Sequence, residues 1–259
     1  MAPPRPLALV TGASAGIGAT FARTLARRGY DLILVARRRN RLEDVARETG
    51  GEILVADLLD EAGLRRVEER IRASNLQLLV NNAGFGISGP LATADPVAQD
   101  TMHRLHINAT LRLTLAALPG MMKRRSGGVI NVSSVAAFIT NPGAVSYCAT
   151  KTWINSFTEG LWIELKAAGS PVRVQALCPG FTYSEFHDVA NMDRRKLAPR
   201  AWWLTAEFVV EESLAGLERG RLFVIPSFRY KALVWFLNRI PRPLKRTMLL
   251  AASRRSGRM

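Results

Sequence analysis

Leu7-Ala-Leu-Val-Thr-Gly-Ala-Ser-Ala-Gly-Ile-Gly18 is an apolar run that breaks into a turn of three glycines and then enters an amphipathic stretch. Leu7–Thr11 reads as a buried strand and 16–28 as the helix that follows it. Glycines at such a junction let the turn close tightly, let the backbone approach a pyrophosphate and let helix pack on strand. The helix N-terminus then offers unpaired N–H groups and the positive end of its dipole to the phosphates. The spacing is Gly-x3-Gly-x-Gly. By itself the cluster also suits a structural turn before a buried helix, but its place directly after the first strand favours a nucleotide.

The same alternation continues along the chain. Candidate strands are Leu7–Thr11, Leu32–Ala36, Ile53–Ala56, Leu78–Asn82, Val129–Ser133 and Val172–Leu177, with a seventh at Leu222–Ile225. They read as nearly continuous apolar runs, as strands covered on both faces should. Helical patterns at 16–28, 38–48, 60–72, 97–124 and 144–168 separate them. Strands alternating with helices through right-handed crossovers imply an α/β fold: a doubly wound parallel sheet of Rossmann type, six to seven strands with helices on both faces. Beyond Pro226 the pattern changes. Tyr230, Leu233, Val234, Leu237 and Ile240 follow helical spacing, Trp235 and Phe236 are expected to widen that apolar face, and Pro241 and Pro243 interrupt it before a second helical pattern at Leu244–Ala252. The expected organisation is one catalytic domain over 1–226 and an amphipathic basic extension over 227–259.

Of the 259 residues 48% are hydrophobic, an ordinary globular composition, yet the formal charge is +15. Eleven basic residues and no acidic one lie between Arg219 and Met259, so the excess belongs to the tail and the rest carries only +4. Two cysteines, Cys148 and Cys178, are too few for a disulfide framework or a structural zinc site, and the three histidines lack metal-ligand spacing; no metal is expected. The N-terminus lacks the apolar core of a signal peptide and no run of about 18 apolar residues occurs, so a cytoplasmic protein is expected.

Two features carry chemistry. After the second strand stands Arg37-Arg38-Arg39, with no acid before Glu43. An acid at that point would bind the adenosine ribose hydroxyls, whereas Arg37 suits a 2′-phosphate, which favours NADP(H) over NAD(H). The arginines also read as a solvated helix start. Tyr147 and Lys151 are four residues apart in a helical stretch and share a face. A nearby ammonium lowers a phenol's pKa and fits it for proton transfer. Ser134, thirteen residues upstream, ends a candidate strand at the carboxyl edge where open sheets bind ligands. It also reads as a helix N-cap.

Taken together, TGASAGIG (11–18), Asp57, NNAG (81–84), Asn108, INVSS (130–134), YCATK (147–151) and CPGFT (178–182) resemble the short-chain dehydrogenase/reductase family over roughly residues 5–190. The resemblance implies that Ser134 positions the substrate oxygen and Tyr147 is the general acid/base. Lys151 would lower the tyrosine pKa and contact the nicotinamide ribose, and Asn108 would support a water in the proton relay. It implies cofactor contacts from Gly12, Ser14, Ala15, Gly16, Ile17, Gly18, Arg37, Asp57, Leu58, Asn82, Ala83, Gly84, Tyr147, Lys151, Pro179, Gly180 and Thr182. Among these Asp57 would meet the adenine, Asn82 would brace the central strand, and Pro179, Gly180 and Thr182 would flank the nicotinamide. Subunit pairing through the helix carrying Tyr147 would also resemble the family, giving a homo-oligomer.

The segments expected to line the substrate pocket are 135–142 and 183–203, with Phe138, Tyr183 and Phe186 as substrate residues alongside Ile139, Trp202 and Trp203. Such a lining suits a small hydrophobic carbonyl compound or alcohol. The basic tail suits an anionic membrane surface, a subunit neighbour or a cover for the pocket. No motif for reading nucleic acid accompanies it, and no nucleic-acid partner is expected. The alternative reading is a non-catalytic NADP-binding regulator or membrane-peripheral protein on the same fold.

Overall fold

Apolar runs of four to six residues form most of a single sheet in the computed structural model, which describes residues 4–185 and 198–255. The elements are β1 (Leu7–Thr11), α1 (Gly16–Arg27), β2 (Asp31–Ala36), α2 (Arg39–Thr49), β3 (Glu52–Val55), α3 (Glu61–Arg72) and β4 (Leu76–Asn81). There follow α4 (Pro96–His103), α5 (Thr110–Arg124), β5 (Gly128–Val132), α6 (Val145–Ala167) and β6 (Arg173–Leu177). Next come α7 (Ala206–Glu218), β7 (Phe223–Val224), α8 (Phe228–Arg239) and α9 (Arg242–Arg255).

All seven strands are parallel, in the order β3-β2-β1-β4-β5-β6-β7. The chain winds outward from β1 to β3, then returns to lay β4 on the other side of β1. The helices leaving β1 and β4 therefore diverge, and a crevice opens at the carboxyl ends of these strands. Alternate strand residues feed two cores. Ala8, Val10, Leu34 and Val80 meet Phe21 and Leu25 of α1, Leu42 of α2 and Val210 of α7. Leu9, Ile33, Leu79 and Val129 meet Val67 of α3, Leu113 of α5 and Leu161 of α6. Helices thus cover both faces.

Strand and helix limits fall within a residue or two of the sequence expectation, apart from the last helix, which runs Arg242–Arg255 against an expected Leu244–Ala252, and the stretch 97–124. The helix expected as one piece over 97–124 holds a π-turn, Arg104–Ala109, between α4 and α5. Its wider ring places one more residue in the turn and changes which side chains face inward. The seventh strand is two residues long, Phe223–Val224, because it pairs only with Ala176 and Leu177 at the sheet edge and Pro226, lacking an N–H, cannot extend it. At the C-terminus Tyr230 and Val234 of α8 are buried, but Trp235 and Phe236 do not join that apolar face: they remain 59% and 54% exposed on the opposite side.

Candidate active site

The turn between β1 and α1 is shaped by space. Gly12 and Gly16 have φ of 66° and 52°, the left-handed region that glycine tolerates. A Cβ on Gly18 would stand 2.2 Å from the Gly12 carbonyl oxygen and 2.5 Å from Asn82 Nδ2. Helix α1 begins after Ala15 with no side-chain cap and no acid in its first turn, so its N–H groups are left for an anion. Thr11 ties this turn to the next loop: its Oγ1 accepts from Asn82 N at 2.9 Å and Ala83 N at 3.0 Å. Asn82 Nδ2 returns a bond of 2.8 Å to Thr11 O. Asn82, Ala83 and Gly84 are thereby held beside Gly12.

Arg37 and Arg38 both reach this end. Arg37 lies 3.9 Å from the Asp57 carboxylate, while Asp57 Oδ1 also accepts from Leu59 N at 3.0 Å and fixes its own turn next to buried Leu58. Arg38, which sequence reading passed over, is the arginine that touches the glycine turn: it donates to Ser14 Oγ at 3.2 Å and to Glu185 at 2.9 Å. The run of three arginines was the available signal. Which of them points at the turn depends on where α2 starts.

At the other side of the crevice β5 delivers Ser133 and Ser134. Ser133 Oγ donates to Lys151 O at 3.0 Å, seating α6 against the strand end. Ser134 Oγ accepts from Ala136 N at 3.1 Å, so it does cap the short 3-10 turn Val135–Phe138. It also hydrogen-bonds the Tyr147 side chain. Burial raises the tyrosine pKa above its ordinary value, and the Ser134 bond is the influence that pulls it back. Lys151 is 6% exposed, 5.7 Å from the tyrosine ring centroid, and donates to Val132 O at 2.9 Å. Burial lowers its ammonium to about 8. Ser134 and Lys151 thus flank Tyr147 differently: the serine meets its side chain, while the Lys151 ammonium is held by the Val132 carbonyl and faces the tyrosine ring.

Asn108 sits apart from this group. It is exposed in a surface hollow with Leu58, Arg104 and Leu111, while His106, from the same π-turn, faces inward. His106 Nε2 accepts from Phe85 N at 3.2 Å; its Nδ1–H donates to Thr150 Oγ1 at 2.9 Å, which in turn donates to Tyr147 O at 2.8 Å. Its ring meets Tyr147 edge-on at 6.0 Å. Burial, then the Lys151 charge, hold its pKa well below the ordinary histidine value, so it is neutral and keeps one donor and one acceptor nitrogen. Isolated histidines without metal spacing gave no hint of this.

Pro179, Gly180 and Thr182 form the far wall. Pro179 O accepts from Val135 N at 3.0 Å, and Thr182 Oγ1 donates to Gly180 O at 3.0 Å. Tyr230 of α8 lies directly on Gly180, where a Cβ would come within 2.0 Å of its ring. Its Oη accepts from Phe181 N at 3.0 Å and donates to Trp202 O at 2.7 Å. Of the expected substrate residues, Phe138 turns edge-on to Phe223 and Tyr183 lies over Trp203 at 5.1 Å; Phe186 is outside the described residues.

Comparison with known proteins adds to this geometry. The family model described as short chain dehydrogenase matches residues 6–195. An uncharacterised oxidoreductase of Staphylococcus saprophyticus is 32% identical over 203 residues, 75% of this chain and 86% of that protein. A short-chain dehydrogenase from Sphingobium yanoikuyae, solved in complex with NADPH, superposes with a TM-score of 0.80 at 34% identity, covering 92% of this chain and 97% of that one. The bulky-bulky ketone specific alcohol dehydrogenase from Comamonas testosteroni superposes with a TM-score of 0.76 at 30% identity, covering 92% of this chain and 95% of that one.

Proposed function

The chain belongs to the short-chain dehydrogenase/reductase family, and on that premise we propose an NADP(H)-dependent oxidoreductase that interconverts a carbonyl compound and an alcohol, with Tyr147 as general acid/base. The observation that carries the reading is the meeting of the Ser134 and Tyr147 side chains at the carboxyl end of β5, with Lys151 beneath the tyrosine ring. Bound NADP(H) supplies or accepts the hydride. The residues around the crevice fit it: the glycine turn and the α1 N-terminus hold the pyrophosphate, and Arg37 and Arg38 with Ser14 take the 2′-phosphate. Asp57 and Leu58 serve the adenine side. Asn82, Ala83, Gly84, Pro179, Gly180 and Thr182 serve the nicotinamide side.

Ser134 orients the substrate oxygen and Tyr147 gives it a proton in the reductive direction. A hydroxyl whose pKa is raised by burial stays protonated near neutrality, the form that reduction requires. In oxidation the phenolate must form, and the nearby Lys151 ammonium stabilises it. Asn108, expected to support a water in the proton relay, is exposed on the π-turn, and the proton path in this reading does not depend on it. The aromatic side chains Phe138, Tyr183 and Trp203 near the far wall favour a bulky hydrophobic substrate, in keeping with the bulky-bulky ketone specificity of the Comamonas testosteroni relative. The alternative of a non-catalytic binding protein is disfavoured because Ser134, Tyr147 and Lys151 are all retained.

In this reading of a cytoplasmic protein, residues 1–226 carry the catalytic and cofactor-binding side chains, and the basic extension 227–259 seats the far wall through Tyr230. The exposed Leu115 and Met122 of α5 and Ile163 of α6 offer a surface for pairing two subunits. The test is oxidation of NADPH against a panel of bulky hydrophobic ketones and aldehydes. Tyr147→Phe should lower turnover by about 100-fold or more while NADPH binding persists; undiminished turnover would refute the role of Tyr147.

A further inference from the structure

Helix α8 has two unlike faces. Tyr230 and Val234, 2% and 5% exposed, pack inward with Leu233 and Leu237. On the opposite face, at helical spacing, stand Phe228, Trp235 and Phe236, exposed by 82%, 59% and 54%, together with Lys231 and Arg239. The Arg239 guanidinium lies over the Trp235 ring at 4.8 Å from its centroid, and Lys231 is 3.9 Å from Glu212. In α9 Leu244 and Met248, one turn apart, are also exposed. Single exposed apolar residues need no explanation, but six of the fourteen large exposed hydrophobics among the described residues lie between Phe228 and Leu250.

We propose that the outer face of α8, extended by α9, docks on an anionic lipid bilayer. Aromatic side chains settle at the headgroup level while lysine and arginine meet anionic headgroups, and this face carries both. Charge decides between occupants. Even with Arg229 and Lys245 turned inward and Glu212 beside Lys231, the segment after Glu218 brings only cations and no acid, so a second copy of the same face would be repelled. A nucleic acid would use the cations but leave Phe228 and Phe236 in water. The contact is superficial, because no helix among the described residues is long and apolar enough to cross a membrane. Its placement is fixed by α8's inner side: Tyr230 bonds Phe181 N and Trp202 O, Arg229 bonds Ala201 O, and Lys245 of α9 donates to Phe138 O at 3.0 Å. Docking therefore sets the rim of the crevice beside the lipid. Only this last consequence, access of a hydrophobic substrate from the bilayer, rests on the oxidoreductase reading.

The full chain should be floated with vesicles of phosphatidylcholine alone and of phosphatidylcholine mixed with phosphatidylglycerol, at low and high salt. Binding is expected to the anionic vesicles and to weaken with salt. Lys231→Gln and Arg239→Gln should each weaken it about fivefold, and the pair Trp235→Ser, Phe236→Ser by about tenfold or more. NADPH binding and thermal stability of these variants serve as controls on folding and are expected to match the parent. Binding without preference for anionic vesicles, or unmoved by both sets of variants, overturns the proposal. So does loss of binding on charge removal alone with full competition by a DNA duplex, which would mark a polyanion site. An aromatic pair that splits an oligomer while vesicles are never bound would assign the face to a second copy instead.

Discussion

Lys151 is expected to be a residue that the fold would be more stable without. Its ammonium is 6% exposed and burial takes its pKa from 10.5 to about 8. Each tenfold change in proton affinity corresponds to ~1.4 kcal/mol, so the charged form carries a ceiling of ~3 kcal/mol of strain at neutral pH. Lys151→Met keeps the volume and removes the charge, but it leaves Val132 O without its 2.9 Å donor, a loss of ~1 kcal/mol. The net expectation is a gain of about 1–2 kcal/mol, or a Tm higher by roughly 2–8 °C for a chain of this size, with turnover lost. The pH dependence fixes the cause. The folded pKa lies below the unfolded one, so the unfolded chain binds more protons between about pH 8 and 10.5 and the parent gains stability across that window. The variant has no such gain, and the difference should close above it. Urea unfolding of both proteins from pH 7 to 10.5 measures this. A variant less stable than the parent at pH 7, or a difference that does not change with pH, would refute the reasoning.

Tyr230→Phe keeps the ring on Gly180 but deprives Phe181 N and Trp202 O of their partner. It should cost about 2–3 kcal/mol in thermal unfolding and raise the KM for NADPH; an unchanged Tm would sink the idea that the hydroxyl holds the far wall. Arg38→Asp should raise the KM for NADPH by about 10-fold to 100-fold and leave that for NADH nearly unchanged, and a parallel change in both would count against a 2′-phosphate contact. His106→Leu should cost about 1–3 kcal/mol by stranding Phe85 N. Because the folded parent keeps this ring neutral, the parent's stability is full above about pH 6.5 and declines as pH falls below it. Unfolding at pH 5 and 7 should show the variant free of that decline, and equal slopes would exclude His106 as its source.

The strands were legible because burial on both faces writes them as unbroken apolar runs, and the glycine turn because Gly18 has no space for a Cβ. Ser134, Tyr147 and Lys151 were legible as a set, since a strand end and a four-residue helical interval fix which side chains can meet. Contacts made by ordinary residues across distant elements were not. The π-turn leaves no periodic trace, yet it turns His106 inward and Asn108 outward. Tyr230 read as one apolar position in a terminal helix, although its hydroxyl closes the far wall. A buried polar ladder, Asn81 Nδ2 to Thr114 and Asn131, and Asn131 Nδ2 to Thr158, runs through strands that read as plainly apolar. Each partner lies in a different element, and only the sheet order brings them together.

That sheet order also sets a calendar for the nascent chain. β1 leaves the ribosome first, yet its second edge stays unpaired until Leu76–Asn81 has been made. Phe223–Val224 and Tyr230 are made only after β6 and α7. Pairings between such distant segments form slowly. The glycine turn can therefore take shape while the wall behind Pro179 and Gly180 is still missing. A chain released before Tyr230 would hold that turn and have nothing to press the opposite side of the crevice into place.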